Sequence, residues 1–244
     1  MENTGKKFMK ATHFDNLDIS DQMMGEEAPP LQWPPSPANR VIDLPVPDDA
    51  YAASISFREV MEHRRSHRRY LTSPIKLSEL SWLLYACQGV QEIYPGSATL
   101  RTVPSAGARH ALETFILTGN IESLPVGVAR YCALDHKLEI IREDDDAPHE
   151  ITTAFLGQEM VYTAAATFIW AVDIRRMTWR YGQRGYRYLH LEAGHICQNL
   201  YLAAEGIDCG VCAIAAYDDE QINTLLDFDG ENQFVIYLAS LGKT

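Results

Sequence analysis

The segment from about residue 184 to residue 205 most constrains the fold, because it carries the longest run of helical spacing in the chain. Gly206 lies just past its predicted end, where a glycine commonly closes a helix. Apolar residues cover more than one face of this helix: Leu191, Ala193, Ile196, Leu200, Ala203 and Ala204. A helix this apolar is either buried in a core or shared with a second subunit.

Two continuous apolar segments, 167–174 and 234–241, predict buried central strands because they are rich in β-branched and aromatic residues. Further strands are predicted at 113–118, 128–133, 138–142 and 211–217. Helices are predicted from Ser78 to about Gly89, near 151–162, and from a cap at Asp218-Asp219 to about Leu226, and a loop is predicted at 99–108. Strands and helices do not alternate regularly, so the order favours an α+β fold over a doubly wound sheet.

The first part of the chain differs in composition from the rest, and it predicts an N-terminal segment, 1–47, before a domain at 48–244. Periodicity is weak there, and 28–47 holds seven prolines, at positions 29, 30, 34, 35, 37, 45 and 47. This composition predicts an extended, polyproline-like chain that wraps either its own domain or a partner subunit. Asp48 or Asp49 is predicted to cap the first helix of the domain, which runs to Arg64.

Positive charge is concentrated in the segment Arg64-Arg65-Ser66-His67-Arg68-Arg69-Tyr70, in a chain whose formal net charge is −12. Such a segment repels itself unless an anion or a set of carboxylates lies against it. Forked guanidinium groups with a serine hydroxyl between them suit a phosphate group. The segment therefore predicts a small phosphorylated ligand. The alternative is a solvated helix end, where cations interact favourably with the helix dipole.

Composition excludes several classes of function. The acidic balance argues against nucleic acid, whose binding needs a broad basic surface. No run approaches the ~18 apolar residues of a membrane span, and the N-terminus lacks a signal-peptide core. The five cysteines are odd in number and scattered, which argues against a secreted disulfide framework. We therefore expect a soluble cytoplasmic protein.

Common catalytic and metal motifs are missing from the sequence or incomplete. It has no G-x-G-x-x-G after a strand, no P-loop and no G-x-S-x-G. Cys209 and Cys212 have C-x-x-C spacing, but no second pair completes a four-cysteine zinc site, so buried structural thiols are expected. His190 and His195 are five apart, whereas metal-binding histidine pairs on a helix prefer four. No metal site is predicted.

Five segments in order carry a family resemblance. They are Arg64-Arg65-Ser66-His67-Arg68; Leu77-Ser78-Glu79-Leu80-Ser81-Trp82-Leu83-Leu84 with Gly89 behind it; Arg101-Thr102-Val103-Pro104-Ser105-Ala106-Gly107-Ala108; Tyr181-Gly182-Gln183-Arg184-Gly185-Tyr186-Arg187-Tyr188; and Glu192-Ala193-Gly194-His195 with Gln198-Asn199. Ile42-Asp43-Leu44-Pro45 precedes them. Together, over roughly 30–242, they resemble the nitroreductase superfamily of flavin mononucleotide (FMN) enzymes, and most closely its SagB-type dehydrogenase branch.

The resemblance implies an α+β homodimer with a central, mostly antiparallel sheet flanked by helices and two FMN sites at the subunit interface. It implies that Arg64, Ser66 and Arg68, with Arg65 adjacent, hold the ribityl chain and phosphate. The loop Pro104-Ser105-Ala106-Gly107 resembles the segment by which the partner subunit covers the flavin. The strand end Ile214-Ala215-Ala216 resembles the one that brings backbone N–H groups to the ring edge and N5. For the two alanines, ordinary strand packing is the alternative.

The reaction that the resemblance implies is hydride transfer through flavin N5 to or from a small-molecule or peptide substrate, because the flavin itself carries the redox chemistry. Nitroreductases take hydride from a donor, here expected to be NAD(P)H, and pass it to an acceptor. SagB-type enzymes instead oxidise azolines in modified peptides. Three alternatives stay open: a related flavin-consuming enzyme, a non-catalytic flavin-binding subunit of a modifying complex, and an acidic domain with no cofactor.

Two departures from the family pattern bear on the chemistry. Azoline-oxidising members resemble each other in a Lys-Tyr pair where this chain has Arg180-Tyr181. Tyr181 can still give or accept a proton, whereas Arg180 cannot act as a general base because an arginine side chain stays protonated in proteins. Packing and a surface charge are the alternative for this pair. Many nitroreductases also continue into a C-terminal arm; here Lys243, or the proline-rich segment, is expected to substitute for it.

Overall fold

The computed structural model describes residues 3–47, 49–53 and 55–244, and the description below is of these residues. Their helices are α1 (Thr4–Ala11), α2 (Asp21–Met24), α3 (Asp49–Ala53), α4 (Phe57–His63), α5 (Leu77–Gln88), α6 (Ala147–Ala154), α7 (Glu159–Tyr162), α8 (Ile174–Tyr181), α9 (Gly185–Glu205) and α10 (Asp219–Leu225). Their strands are β1 (Val41–Asp43), β2 (Val90–Tyr94), β3 (Ala98–Arg101), β4 (Leu112–Thr118), β5 (Gly127–Cys132), β6 (Lys137–Glu143), β7 (Ala166–Asp173), β8 (Cys209–Ile214) and β9 (Gln233–Lys243).

The main sheet has the strand order β1-β6-β5-β4-β7-β9-β8, and each neighbouring pair in it is antiparallel. β2 and β3 form a separate antiparallel hairpin. Central β7 is buried along its length apart from its last residue, as its continuous apolar sequence predicts. The predicted α+β class with a mostly antiparallel sheet flanked by helices is confirmed.

Helices cover both faces of the sheet. On β7, Trp170 belongs to a core cluster that includes residues of α5, α8 and α9. Its neighbour Ile169 belongs to a second cluster, formed with α6, α7 and α10. Successive side chains of a strand point to opposite faces, so the continuous apolar run of β7 fills both clusters at once.

The N-terminal segment differs from the extended chain that its composition predicts. Residues 4–11 and 21–24 are helical, with Asn3 and Ser20 as N-caps. Residues 41–43 form an edge strand of the main sheet, paired with β6. The domain boundary between 47 and 48 stays a prediction.

The proline-rich part of the segment lies on its own chain. The Trp33 backbone N–H donates to Glu113 Oε1 at 2.8 Å, and its indole N–H donates to Asp173 Oδ2 at 2.9 Å. Arg130, ion-paired with Glu139 at 2.6 Å, donates to the Trp33 carbonyl at 2.9 Å. These largely buried charged groups anchor the segment to β4, β5 and β7. The contacts favour wrapping of its own domain, and an embrace of a partner subunit stays a prediction.

Other predicted elements need correction. The helix expected from Asp48 or Asp49 to Arg64 is two helices, because Ser56 starts α4 with a reciprocal capping box to Glu59; Asp48 lies outside the described residues. The helix expected at 151–162 is also two, separated where Leu156 and Gly157 take left-handed φ angles of 57° and 70°. Residues 98–101 form β3 rather than part of a loop, and β8 ends at Ile214 instead of continuing to 217.

No helix within the described ranges is long and apolar enough to cross a membrane.

Candidate functional site

The arginine-rich segment forms an extra edge on the main sheet. After α4 ends at His63, the chain runs parallel to β8 through a bridge between Ser66 and Val211. The His67 N–H donates to the Val211 carbonyl at 2.9 Å. Gly210 permits this approach, since a Cβ there would lie 2.5 Å from the His67 Cβ. The segment is therefore fixed to β8 by its backbone, which leaves its side chains available.

Tyr201 of α9 ties this edge to the helix layer. Its hydroxyl lies 2.8 Å from the Ser66 Oγ and accepts the Ala213 N–H at 2.8 Å. The Arg64 guanidinium lies over the Tyr201 ring, 5.2 Å from its centroid. Sequence reasoning missed Tyr201; the signal that could have pointed to it is a phenol within the apolar run 200–204 near the end of the helix.

Within the described ranges, no ion pair neutralises the positive charge of the segment. Arg65, Arg68 and Arg69 are exposed and Arg64 is half-buried. Within the described part of the chain, none of the four has an ion-paired carboxylate, although Arg58 of α4 pairs with Glu62 at 2.9 Å. The structure thus leaves a row of cations, on a backbone fixed to β8, that can bind an anion.

The end of β8 lies close to this row. Ile214 is buried as the last residue of the strand, whereas Ala215 and Ala216 are exposed beyond it. Because Ala213 and Ser66 share the Tyr201 hydroxyl, the predicted residues 64–68 and 214–216 come together in one region. We refer to this region as the arginine edge.

The loop 104–107 is anchored elsewhere, by Glu192 of α9. Glu192 Oε1 accepts the Ser105 hydroxyl at 2.7 Å and the Ala106 N–H at 2.9 Å. Burial raises the pKa of Glu192 to about 6, although the hydrogen bonds from Ser105 and Ala106 act in the opposite direction. Glu192 belongs to one of the segments that carry the family resemblance, but the sequence indicates no role for it.

Gly107 brings this loop against Arg180 and Tyr181. Its φ is +60°, and a Cβ there would lie 2.6 Å from the Tyr181 hydroxyl and 2.9 Å from the Arg180 Nε. The Tyr181 ring packs edge-on against Tyr188 at a centroid distance of 4.9 Å. The predicted loop and the predicted catalytic pair therefore form a second region, the tyrosine corner, made of residues 104–107, Arg180, Tyr181 and Glu192.

The arginine edge and the tyrosine corner are separate in one chain. Glu192 and Tyr201 lie about two and a half turns, or ~14 Å, apart along α9, and the half turn directs them to opposite sides of the helix. A single subunit thus carries two parts of the predicted site that do not meet within it.

Lys243 does not join either region through its side chain. Its ammonium pairs with Glu79 Oε1 at 2.8 Å and donates to the Ile207 carbonyl at 2.7 Å. Its backbone carbonyl accepts the Leu71 N–H at 2.8 Å. These contacts do not support the prediction that Lys243 replaces the family's basic arm at a phosphate.

The cysteines and histidines singled out in the sequence are in ordinary surroundings. Cys209 and Cys212 are buried free thiols, and burial raises the pKa of Cys209 to about 12. His190 Nδ1 lies 2.9 Å from the Tyr186 carbonyl of the preceding turn. No group of three metal-ligating side chains occurs among the described residues.

Comparison with known proteins links this geometry to one family. The family model described as the nitroreductase family matches residues 61–243. A protein of Methanocaldococcus jannaschii that is named a nitroreductase is 35% identical over 202 residues, which are 83% of this chain and 96% of that protein. The trifolitoxin-processing protein TfxB of Rhizobium leguminosarum bv. trifolii is 28% identical over 206 residues, or 79% of this chain, but this covers only 54% of TfxB.

Among solved structures, a protein from Anabaena variabilis that is named a nitroreductase superposes on this chain with a TM-score of 0.71 and is 31% identical in sequence. The match covers 85% of this chain and 42% of that one, so this chain spans less than half of that structure's length.

Proposed function

Because this chain belongs to the nitroreductase family, we propose that it is an FMN-dependent oxidoreductase that transfers hydride to or from a small-molecule or peptide substrate. Membership of the family supports a flavin-dependent oxidoreductase. FMN as the flavin, NAD(P)H as the donor and the substrate class are parts of the proposal.

The observation that carries the proposal is the row of cations, unpaired within the described residues, whose backbone is fixed to β8. Arg65 and Arg68 are exposed and free of ion pairs in the described residues, and Tyr201 holds Ser66 between them. A phosphate monoester needs this combination of cations and a hydroxyl donor. The residues therefore fit the phosphate end of FMN, with the exposed residues 215–216 beyond it, where the flat ring would lie.

We propose further that the complete site forms only in a homodimer, in which the tyrosine corner of one subunit meets the arginine edge of the other. One face of α9 is open for such contact. Leu191 is 59% exposed, and Gly194, His195 and Gln198 are exposed on the same face. A Cβ at Gly194 would meet nothing within 4 Å. Leu191→Asp should dissociate the dimer and release the flavin, as measured by sedimentation and by absorbance at 450 nm.

The bound flavin would supply hydride transfer between N5 and the substrate. This chain's residues would bind it, orient it and manage protons. Arg65, Ser66 and Arg68 would hold the phosphate, and the chain after Ile214 would present backbone N–H groups to the ring edge. Tyr181 would give or accept a proton at the substrate through its hydroxyl, while Arg180 stays charged.

A peptide-processing role is the second candidate, and the similarity to TfxB favours it. The Arg180-Tyr181 pair bears on this choice, since an arginine cannot remove a proton from a peptide substrate. Reduction of a small acceptor needs no base at this position. We therefore place small-molecule reduction first.

The test begins with aerobic purification, an absorbance spectrum to 500 nm, and identification of the cofactor released by heat. Arg65→Ala and Arg68→Ala should each raise the Kd for FMN about tenfold or more, because each removes a charge-assisted hydrogen bond to phosphate. Arg58→Ala removes the same charge from exposed α4 and should leave the Kd unchanged.

A colourless protein that does not bind added FMN would contradict the proposal. Loss of intact FMN during aerobic turnover would indicate a flavin-consuming enzyme instead. Flavin binding without turnover of any donor or acceptor would indicate a binding subunit.

A further inference from the structure

The N-terminal segment builds a pocket onto the tyrosine corner. The pocket has a volume of about 470 Å³, within the range of small-molecule sites. One wall comes from residues 14–23 and the other from the start of α9 and the end of α8. The lining side chains that carry the argument are Ile19, Met23, Arg180, Tyr181, Arg184 and Asp18.

The segment is bound in place by several directed hydrogen bonds. Arg184 Nη1 donates to the Thr12 carbonyl at 2.8 Å, and Arg187 donates to the Thr12 hydroxyl and the Met9 carbonyl. The Trp179 indole N–H donates to the Glu26 carbonyl at 2.9 Å. Anchors on both sides of residues 14–24 hold this wall as part of the fold.

The wall exposes apolar side chains toward solvent instead of burying them. Phe14 and Met23 are each 77% exposed, and Ile19 is 66% exposed. All three line the pocket. Apolar side chains grouped around a concave surface indicate an apolar ligand, because the group loses contact with water only when the pocket is filled.

The opposite wall is positively charged and polar. Arg180 and Arg184 line it with the phenols of Tyr181 and Tyr188, and Asp18 is its single acidic lining residue. Arg109 adds a third guanidinium behind Arg180; burial and the Arg180 charge both lower the pKa of Arg109. Arg109 Nη2 is buried and has no hydrogen-bond partner. Two lining cations against one lining carboxylate, with Arg109 behind Arg180, favour an anionic group at this end.

We propose that this pocket binds the second substrate, and that this substrate is an apolar molecule carrying a carboxylate. The apolar part packs on Ile19 and Met23, and the carboxylate pairs with Arg180, next to the Tyr181 hydroxyl. The inference rests on the proposed function, since that function places Tyr181 at the reacting end of the substrate. It assigns the N-terminal segment a direct part in substrate selection.

The test is calorimetric titration of the purified full chain, with whatever cofactor it carries, using two probes. 4-Nitrobenzoate combines an apolar ring with the predicted charge, and 4-nitrobenzamide is nearly the same shape but neutral. We expect 4-nitrobenzoate to bind at least about tenfold more tightly. Arg180→Gln should remove this difference in affinity without weakening the binding of 4-nitrobenzamide.

Met23 and Met24 give a matched pair for the apolar wall. They are neighbours in α2 and both exposed, at 77% and 61%, but only Met23 lines the pocket. Met23→Ala should raise the Kd of both probes about threefold to tenfold, and Met24→Ala should leave them unchanged.

Equal binding of the two probes to the wild type, or equal effects of the two methionine variants, would overturn the inference. Because calorimetry needs no turnover, this result can be separated from failure of the proposed function. If the protein contains FMN and reduces acceptors, but the Kd values of the probes do not change in the Arg180 and Met23 variants, only the inference is contradicted. The expected probe pattern in a protein that binds no FMN would support the pocket and contradict the proposed function.

Discussion

Gly107 lies directly against Tyr181, so that a methyl group on its Cα would approach the Tyr181 hydroxyl to 2.6 Å. The residue also has a φ of +60°, a conformation that costs an L-residue about 1–2 kcal/mol. Gly107→Ala should therefore lower stability modestly and, because it displaces Tyr181 and Arg180, lower kcat/KM at least about tenfold. Steady-state kinetics with a measured flavin content will check this expectation.

Gly157→Ala provides the control for Gly107→Ala. Gly157 has a φ of +70°, but a Cβ there would meet nothing within 4 Å. Both variants carry the same kind of backbone strain, and only one disturbs the tyrosine corner. Equal kcat/KM values in the two variants would show that contact with Tyr181 has no catalytic consequence.

Tyr201→Phe should loosen the arginine edge. The change leaves the half-buried Ala213 N–H without its acceptor and removes the partner of Ser66, so we expect a loss of about 1–3 kcal/mol in the free energy of unfolding. FMN affinity should fall as well, because Ser66 and the neighbouring arginines lose their fixed positions. Urea unfolding and flavin titration measure the two effects.

The exposed Tyr162 gives the comparison for Tyr201, and Tyr162→Phe should change neither quantity. If Tyr201→Phe lowers stability and FMN affinity stays at the wild-type value, the arginine edge is not the phosphate site.

Local sequence patterns predicted the elements whose apolar pattern matches their burial in the fold. The apolar runs of β7 and β9 and the helical spacing of α9 identified these elements with errors of a few residues. Residues 64–68 and 214–216 could be grouped only through the resemblance, since no local pattern places β8 beside the arginine-rich segment. The contact depends on pairing between distant segments, which periodicity does not encode.

The errors have physical causes that can be named. The break between α3 and α4 follows from the capping box of Ser56 and Glu59, a local signal that the apolar spacing obscured. The sequence pattern predicts no helix at α8, because Ile174, where α8 begins, continues the apolar run of β7. The positions of α1 and α2 depend on contacts of Arg184, Arg187 and Trp179 with backbone carbonyls, which composition alone does not reveal.

The raised pKa of Glu192 predicts that the stability of the folded chain depends on pH. Its pKa is about 6 in the folded chain, raised from its ordinary value of 4.5 by burial. Between these values the folded protein holds a proton that the unfolded chain has lost, so the free energy of unfolding falls as pH rises through this window. The shift corresponds to about 2 kcal/mol.

Glu192→Gln keeps an acceptor for Ser105 and Ala106 and removes the ionisation. Its free energy of unfolding should therefore lack this fall between pH 4.5 and 6. Glu220→Gln, at an exposed position of α10, loses the same charge and should behave like the wild type. Urea unfolding at a series of pH values separates the variants, and an identical pH dependence for Glu192→Gln and the wild type would contradict the assignment.

The ion pair between Lys243 and Glu79 allows a direct test of whether Lys243 has a structural role or binds the cofactor. Their side chains are 17% and 9% exposed and pair at 2.8 Å, and Glu79 also accepts the Lys76 N–H at the start of α5. Breaking a largely buried pair leaves one charge without compensation, so Lys243→Ala and Glu79→Ala should each cost about 3 kcal/mol. The double variant should cost clearly less than the sum of the two single losses, because the two residues act on each other. A structural pair also leaves FMN affinity unchanged in every member of the cycle. A rise in the Kd for FMN that appears in Lys243→Ala but not in Glu79→Ala would return Lys243 to the phosphate site.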